Sequence, residues 1–223
     1  MEVSGNLKDI QEKIGQACEN SGRNPEDITV IGVTKYVTIE RTKEAIESGV
    51  KNLGENRNEG FLEKYNYFGE QVKWHFIGTM QSRKVKDVID KIDVLHSLDR
   101  ISLAKEINKR STAPVDCFVQ VNVSGEESKH GMEPEDVLPF IENLEMYQHI
   151  RVVGLMTMAP HIDDPERIRI VFRNLAELRD QIKKKQWSHA PCEYLSMGMS
   201  NDYEIAIEEG ATHIRIGSKL VGS

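Results

Sequence analysis

The chain has 223 residues, 29% of them charged, with a net charge of −7, a balance that argues against non-specific nucleic-acid binding and suits a soluble acidic protein. The length fits one or two domains, and α/β barrels of this size are commonly one; no apolar run approaches the roughly 20 residues of a membrane helix. The three cysteines, Cys18, Cys117 and Cys192, lie far apart with no CxxC pair, which argues against a disulfide framework or a structural zinc site.

The N-terminus, MEVSGNLKDIQEKIGQ, is polar and lacks the apolar core of a secretory signal, so a cytoplasmic location is expected. Residues 4–20 read as a helix opened by Ser4, with Leu7, Ile10, Ile14 and Ala17 on one face. ITVIGVT (28–34) reads as a strand, then 39–48 as a helix capped by Thr38 and stopped by Gly49. VKNLGEN (50–56) is a strand and 57–66 helical; VKWHFIG (72–78) is a strand and 82–91 helical. DVLHSL (93–98) is a strand, with Asp99 capping a helix through Asn108. PVDCFVQVNVS (114–124) is a strand, 133–147 a helix, IRVVGLMTM (150–158) a strand and 165–185 a long helix. CEYLSMG (192–198), a helix over 201–210 and THIRIGS (212–218) complete the series. Eight strands alternating with helices predict a parallel sheet closed as a single (β/α)8 TIM barrel, one domain over 1–223, with an extra N-terminal helix expected to cover its wall. A doubly wound open sheet is the alternative.

Function in such a barrel sits at the C-terminal ends of the strands. Lys35 ends the first strand; Gly54, Glu55, Asn56 and Arg57 the second; His75 and Gly78 lie at the third; Ser124, Lys129 and His130 follow the fifth; Met156 and Thr157 end the sixth. Alternation puts Thr29, Ile31, Val33 and Lys35 on one face, which inside a barrel points to the axis. A deprotonated lysine amine attacks aldehydes to form a Schiff base, while a lysine at a strand end also simply reaches for water. The last two units weigh on that choice. LSMGMSND places Gly198 and Ser200 between strand and helix, with Ser200 expected to cap the helix, and HIRIGSKL repeats the pattern with Gly217 and Ser218. Loops after strands 7 and 8 are the recurrent phosphate site of barrels. Arg215, between Ile214 and Ile216, faces the axis and needs an acceptor there: a carboxylate such as Glu55, or a ligand. A lysine, a phosphate turn and an arginine together describe a pocket for pyridoxal 5′-phosphate (PLP). Arginine cannot take up a proton, so the pyridine nitrogen it faces stays unprotonated and the ring is a weaker electron sink. His75 and His96 read as satisfied barrel histidines, Lys183 to Lys185 as a solvated helix end, SRKVK (82–86) as a charged helix start, and Met156 and Met158 as packing.

With these residues in view, VTKYVT, LGENR, WHFIGTMQSRKVK, HSLD, VNVSGEESKHGM, VGLMTMAP and LSMGMSNDYEIAI…GATHIRIG resemble the pyridoxal phosphate homeostasis protein family over residues 5–222. The resemblance implies the fold-type III PLP barrel of the alanine racemase N-terminal domain. It implies that Lys35 holds PLP as an internal aldimine, that Ser200, Gly217 and Ser218 hold the phosphate, that Arg215 faces the pyridine nitrogen, and that Asn56 and Met199 lie near the cofactor. It further implies a role in binding PLP and supplying it to PLP-dependent apo-enzymes, with no robust catalysis, no catalytic residues and no metal. Thr79 and Arg83 depart from the family pattern outside the cofactor contacts, and the ending at Val221, Gly222 and Ser223 leaves the closing of the last unit open. In racemases that share this barrel the second base is a tyrosine carried with an additional C-terminal β domain. The 223 residues leave no room for that domain, so an open cofactor mouth, a monomer and a carrier are expected. A weak PLP-dependent racemase or lyase is the rival, and an aldolase-like barrel whose lysine captures substrate is another.

Overall fold

The computed structural model describes residues 2–125 and 130–222. Its eight strands are β1 (Thr29–Val33), β2 (Asn52–Glu55), β3 (Lys73–Phe76), β4 (Val94–Leu98), β5 (Val115–Gln120), β6 (Ile150–Met156), β7 (Tyr194–Met199) and β8 (His213–Ile216). They pair in chain order, every pair parallel, and β8 returns to β1 to close the expected barrel. The helices are α1 (Val3–Ser21), α2 (Ile39–Glu47), α3 (Asn58–Phe68), α4 (Val85–Val88), α5 (Ile101–Arg110), α6 (Pro134–Asn143), α7 (Pro165–Lys183), α8 (Tyr203–Glu208) and α9 (Ser218–Val221).

The strands are shorter than their apolar runs, because pairing stops before the apolar residues do. β5 ends at Gln120, and Val121 makes only an isolated bridge to Met132 beyond it. Lys129 in the same loop lies outside the described residues. The predicted caps of α1 and α5 are not used. Helix α1 starts at Val3 without a side-chain cap, and the Val3 N–H donates instead to Glu44 Oε1 of α2 at 3.0 Å. Helix α5 starts at Ile101, because the Asp99 carboxylate is taken by Arg100 at 2.5 Å. Thr38 does cap α2, accepting from the Arg41 N–H at 3.2 Å.

The main core lies between strands and helices, where outward residues such as Leu53, Trp74, Leu95 and Ile214 meet Phe61, Leu103, Phe172 and Ala206. Phe61 and Trp74 pack edge to face at 5.4 Å, and the buried indole N–H donates to the Gly69 carbonyl at 2.7 Å. The last βα unit ends in a single turn, α9, too short to cover β8 and β1 by itself. Helix α1 completes the cover: it packs on α8 and α9, buries Val3, Leu7, Ile10, Ile14, Ala17 and Cys18, and Asn6 donates to the Leu220 carbonyl at 2.8 Å. The three cysteines are buried and free. Among the described residues no helix is long and apolar enough to cross a membrane.

Candidate functional site

At the mouth of the barrel β1 stops at Val33, two residues before Lys35. Thr34 to Val37 then form a turn closed by the Val37 N–H on the Thr34 carbonyl at 3.1 Å. Tyr36, third in the turn, sits at φ 81°, a conformation such turns require there and that a bulky residue adopts only under strain. The strand alternation expected to aim Lys35 at the axis therefore ends at Val33. Lys35 is half-buried, and its Nζ lies 5.3 Å from the centre of the Tyr36 ring, which Arg57 also approaches at 5.8 Å. Lys35 shares a cleft of about 690 Å³ with Asn56, Arg57, Glu55 and Lys64. Asn56 is held from behind by close backbone packing: a Cβ on Gly78 would fall 2.2 Å from the Asn56 carbonyl oxygen, so only glycine fits.

Arg215 faces the axis as expected and is only 4% exposed. Among the described residues no carboxylate pairs with it. Its Nη1 donates to Ser196 Oγ at 2.6 Å and its Nη2 to the Thr157 carbonyl at 3.0 Å. Burial lowers its pKa to about 10, opposed by the field of Asp202. Glu55, the carboxylate considered as a partner, faces outward on β2 and is paired with Lys64 Nζ at 2.6 Å. Beneath Arg215 a chain of side chains crosses the barrel. Ser196 Oγ lies 2.8 Å from His96 Nδ1, His96 Nε2 lies 2.9 Å from His75 Nδ1, and His75 Nε2 lies 3.0 Å from Asn52 Oδ1. Burial holds both imidazoles neutral, His75 at a pKa of about 3 and His96 well below the ordinary value. One tautomer pair satisfies every link: the guanidinium donates to Ser196, Ser196 to His96, His96 to His75 and His75 to Asn52. Both histidines are thus satisfied barrel residues. Among the described residues no group of three or more His, Cys, Asp or Glu is placed to hold a metal ion.

Strand pairing sets Ile31 and Met199 beside Arg215 on its two sides. At the end of β7, Ser200 does not cap α8. The helix begins at Tyr203, and the buried Asp202 carboxylate turns back to accept from the Met199 N–H at 2.5 Å. Burial raises the pKa of Asp202, against that N–H and Arg215, which lower it. Gly198, at φ 92°, lets α8 close on β7, since a Cβ there would fall 2.6 Å from the Ala206 Cβ. Gly217 precedes α9 beside Val33 of β1, and Ser218 opens that turn exposed to solvent. Met199 and Arg215 thus lie in β7 and β8, with Ser200, Gly217 and Ser218 just past their ends, while Lys35 and Asn56 line one cleft just past the ends of the adjoining β1 and β2. Sequence reading missed Ser196, Thr157 as an acceptor, and Lys64. Ser196 carried a signal, as a polar residue in a strand buried from Leu195 to Gly198; Lys64 on a charged helix did not.

The model of the alanine racemase N-terminal domain family matches residues 9–223. The pyridoxal phosphate homeostasis protein of Aquifex aeolicus is 42% identical over 226 residues, covering 100% of this chain and 98% of that one. The chain belongs to the pyridoxal phosphate homeostasis protein family. PipY of Synechococcus elongatus has the same fold. Solved without PLP it superposes with a TM-score of 0.84 at 27% identity, covering 96% of this chain and 100% of PipY. Solved with PLP bound the values are 0.85 and 24%, covering 99% and 100%. Alanine racemase of Clostridium difficile shares the barrel at a TM-score of 0.76 and 18% identity; 98% of this chain covers 56% of that one. Family and barrel agree with the resemblance read from the motifs.

Proposed function

We propose that the protein binds PLP as a Schiff base with Lys35 and serves intracellular PLP homeostasis, buffering the cofactor and handing it to PLP-dependent apo-enzymes. In this reading it acts in the cytoplasm, as a monomeric single barrel domain over 1–223, without robust catalysis of its own. The observation that carries the reading is Arg215: a guanidinium buried inside β8, whose hydrogen bonds among the described residues go to the neutral oxygens of Ser196 and Thr157. A buried cation with no carboxylate in direct contact among the described residues, and only the field of Asp202 to offset it, is unfavourable, and an anionic ligand with a ring nitrogen relieves it.

The donor set fits PLP. Bound PLP supplies an aldehyde that captures amines and a ring that draws electrons from the captured nitrogen. Lys35 provides the amine, with Asn56 in the same cleft. Ser200, Ser218 and the Gly217 backbone provide phosphate donors, and Met199 flanks Arg215. Arg215 offers the pyridine nitrogen a hydrogen-bond donor with no proton to give up. Its Ser196–His96–His75 chain runs outward, so each member already spends its proton on the next and none is free to protonate that nitrogen. A weakly withdrawing ring suits a carrier. The end-to-end match to the Aquifex homeostasis protein favours the carrier over the racemase reading.

The test is a spectrum. Purified protein incubated with PLP is expected to gain an absorbance band at the visible edge that borohydride removes and that Lys35→Ala lacks. A colourless wild-type protein overturns PLP binding through Lys35. Exchange of an amino acid's α-proton for deuterium at enzymatic rates overturns the carrier reading and leaves a racemase or lyase.

A further inference from the structure

Beside Lys35 lies an ion pair that the function has not absorbed. Lys64 of α3 and Glu55 of β2 are 5% and 2% exposed, with Nζ and Oε1 2.6 Å apart. Such a pair is a poor source of stability, because removing both charges from water offsets their attraction. Its contacts converge instead on one residue. Lys64 Nζ also donates to the Thr34 carbonyl at 2.6 Å, and the Thr34 hydroxyl donates to Glu55 Oε1 at 2.7 Å. The Thr34 N–H donates to the Gly54 carbonyl at 3.1 Å, and the Thr34 carbonyl accepts the turn-closing Val37 N–H. Every polar atom of Thr34 is therefore engaged, and Thr34 is completely buried. The next residue is Lys35, and the one after it is Tyr36, at φ 81°.

We propose that the buried Lys64–Glu55 pair is the positioning device for Lys35. It clamps Thr34, so that the strained turn keeps its shape and presents the lysine at one place above the strand. β1 has already ended, so its ladder does not fix Lys35. Without the clamp the strain at Tyr36 favours opening of the turn, and among the described residues the one tie left on the Thr34 carbonyl is the Val37 N–H. Charge-assisted hydrogen bonds to a backbone carbonyl are stronger than neutral ones, which is what holding a strained turn requires. Lys64 and Glu55 are positioning residues, acting through Thr34. The importance of Lys35 itself rests on the reading in the preceding subsection.

The test uses the full chain with Lys64→Met and Glu55→Gln combined, which removes both charges at nearly constant volume. Amide hydrogen exchange is first measured without PLP. The Val37 amide is expected to exchange at least tenfold faster than in wild type, with the β1 amides unchanged. A folded variant with wild-type protection at Val37 overturns the proposal, whether or not the protein takes PLP. In the second arm the borohydride-sensitive band is expected to form about tenfold more slowly, with a final melting temperature near that of wild type. A loosened Val37 with an unchanged rate of band formation also overturns it, since the clamp then holds a turn without placing the lysine. A wild-type protein that forms no band overturns the PLP reading alone, and the exchange arm still decides the clamp. Should the double variant not fold, Thr34→Val removes one hydrogen bond only; about threefold effects in both arms are expected, and wild-type behaviour in either overturns the proposal.

Discussion

The wall of the barrel has two sides of opposite chemistry. Outside it, where helices meet strands, Leu53, Phe61, Trp74, Leu103 and Phe172 form a continuous apolar layer. Inside it the apolar cluster is Phe118, Val153 and Met156, and the axis above and beside them holds His75, His96, Ser196 and Arg215. The outer layer stabilises by area removed from water, which is tolerant of detail. The inner set stabilises little but permits few arrangements, because each buried polar group must find a partner. The difference explains how one barrel is both a robust scaffold and a device that holds a cation within bonding distance of chosen oxygens.

Truncating the outer layer has the largest expected effect. Phe61→Ala empties space against Trp74 and is expected to cost about 3–5 kcal/mol in urea unfolding, with the folded fraction still taking up PLP. A loss below about 1 kcal/mol would place the stability elsewhere. Acidification probes the inner set. His75 is held at about 3 and His96 well below the 6.5 of free histidine, so below pH 6.5 the unfolded chain binds more protons than the folded one. Stability from each neutral ring is whole above that pH and falls as the pH drops toward the folded value, by about 2 kcal/mol at pH 5 for His75, with His96 acting in the same direction. Urea titrations at pH 7 and pH 5 measure it, and a flat profile would mean that the rings are charged or exposed. Tyr36→Gly relaxes the left-handed turn at a ring that is 73% exposed and is expected to raise stability by up to about 1 kcal/mol, read as a higher melting temperature. Arg151→Ala breaks an ion pair with Asp116 at 2.7 Å on the outer floor, with Arg151 54% exposed. The same melt is expected to move by less than about 1 kcal/mol; a larger change would give this surface pair a weight the comparison denies it.

How much of the candidate site was legible depended on how far strand alternation extends. Arg215 lies inside β8, and its inward direction followed from Ile214 and Ile216 on either side. Lys35 lies past the end of β1, so its direction did not follow: a turn governs it, and the turn depends on Lys64, nine residues beyond Glu55. The caps fared likewise. Thr38 caps α2 through a local bond to Arg41, whereas Ser4, Asp99 and Ser200 were displaced by Glu44, Arg100 and Asp202, whose bonds satisfy the backbone or remove the capping carboxylate.

By itself the sequence determined the order of eight strands and their helices, the outer apolar faces, and the placing of a lysine, an arginine and two glycine–serine turns at or just past the strand ends. These follow from periodicity and local bonding, which act within a few residues. The tertiary structure decided the closure of β8 on β1, against an open sheet, which acceptors answer Arg215, that Glu55 faces Lys64 rather than the axis, and that α1 with α9 completes the wall. Those outcomes depend on partners brought together from distant parts of the chain, where burial makes an unpaired polar group costly and so selects a single pairing.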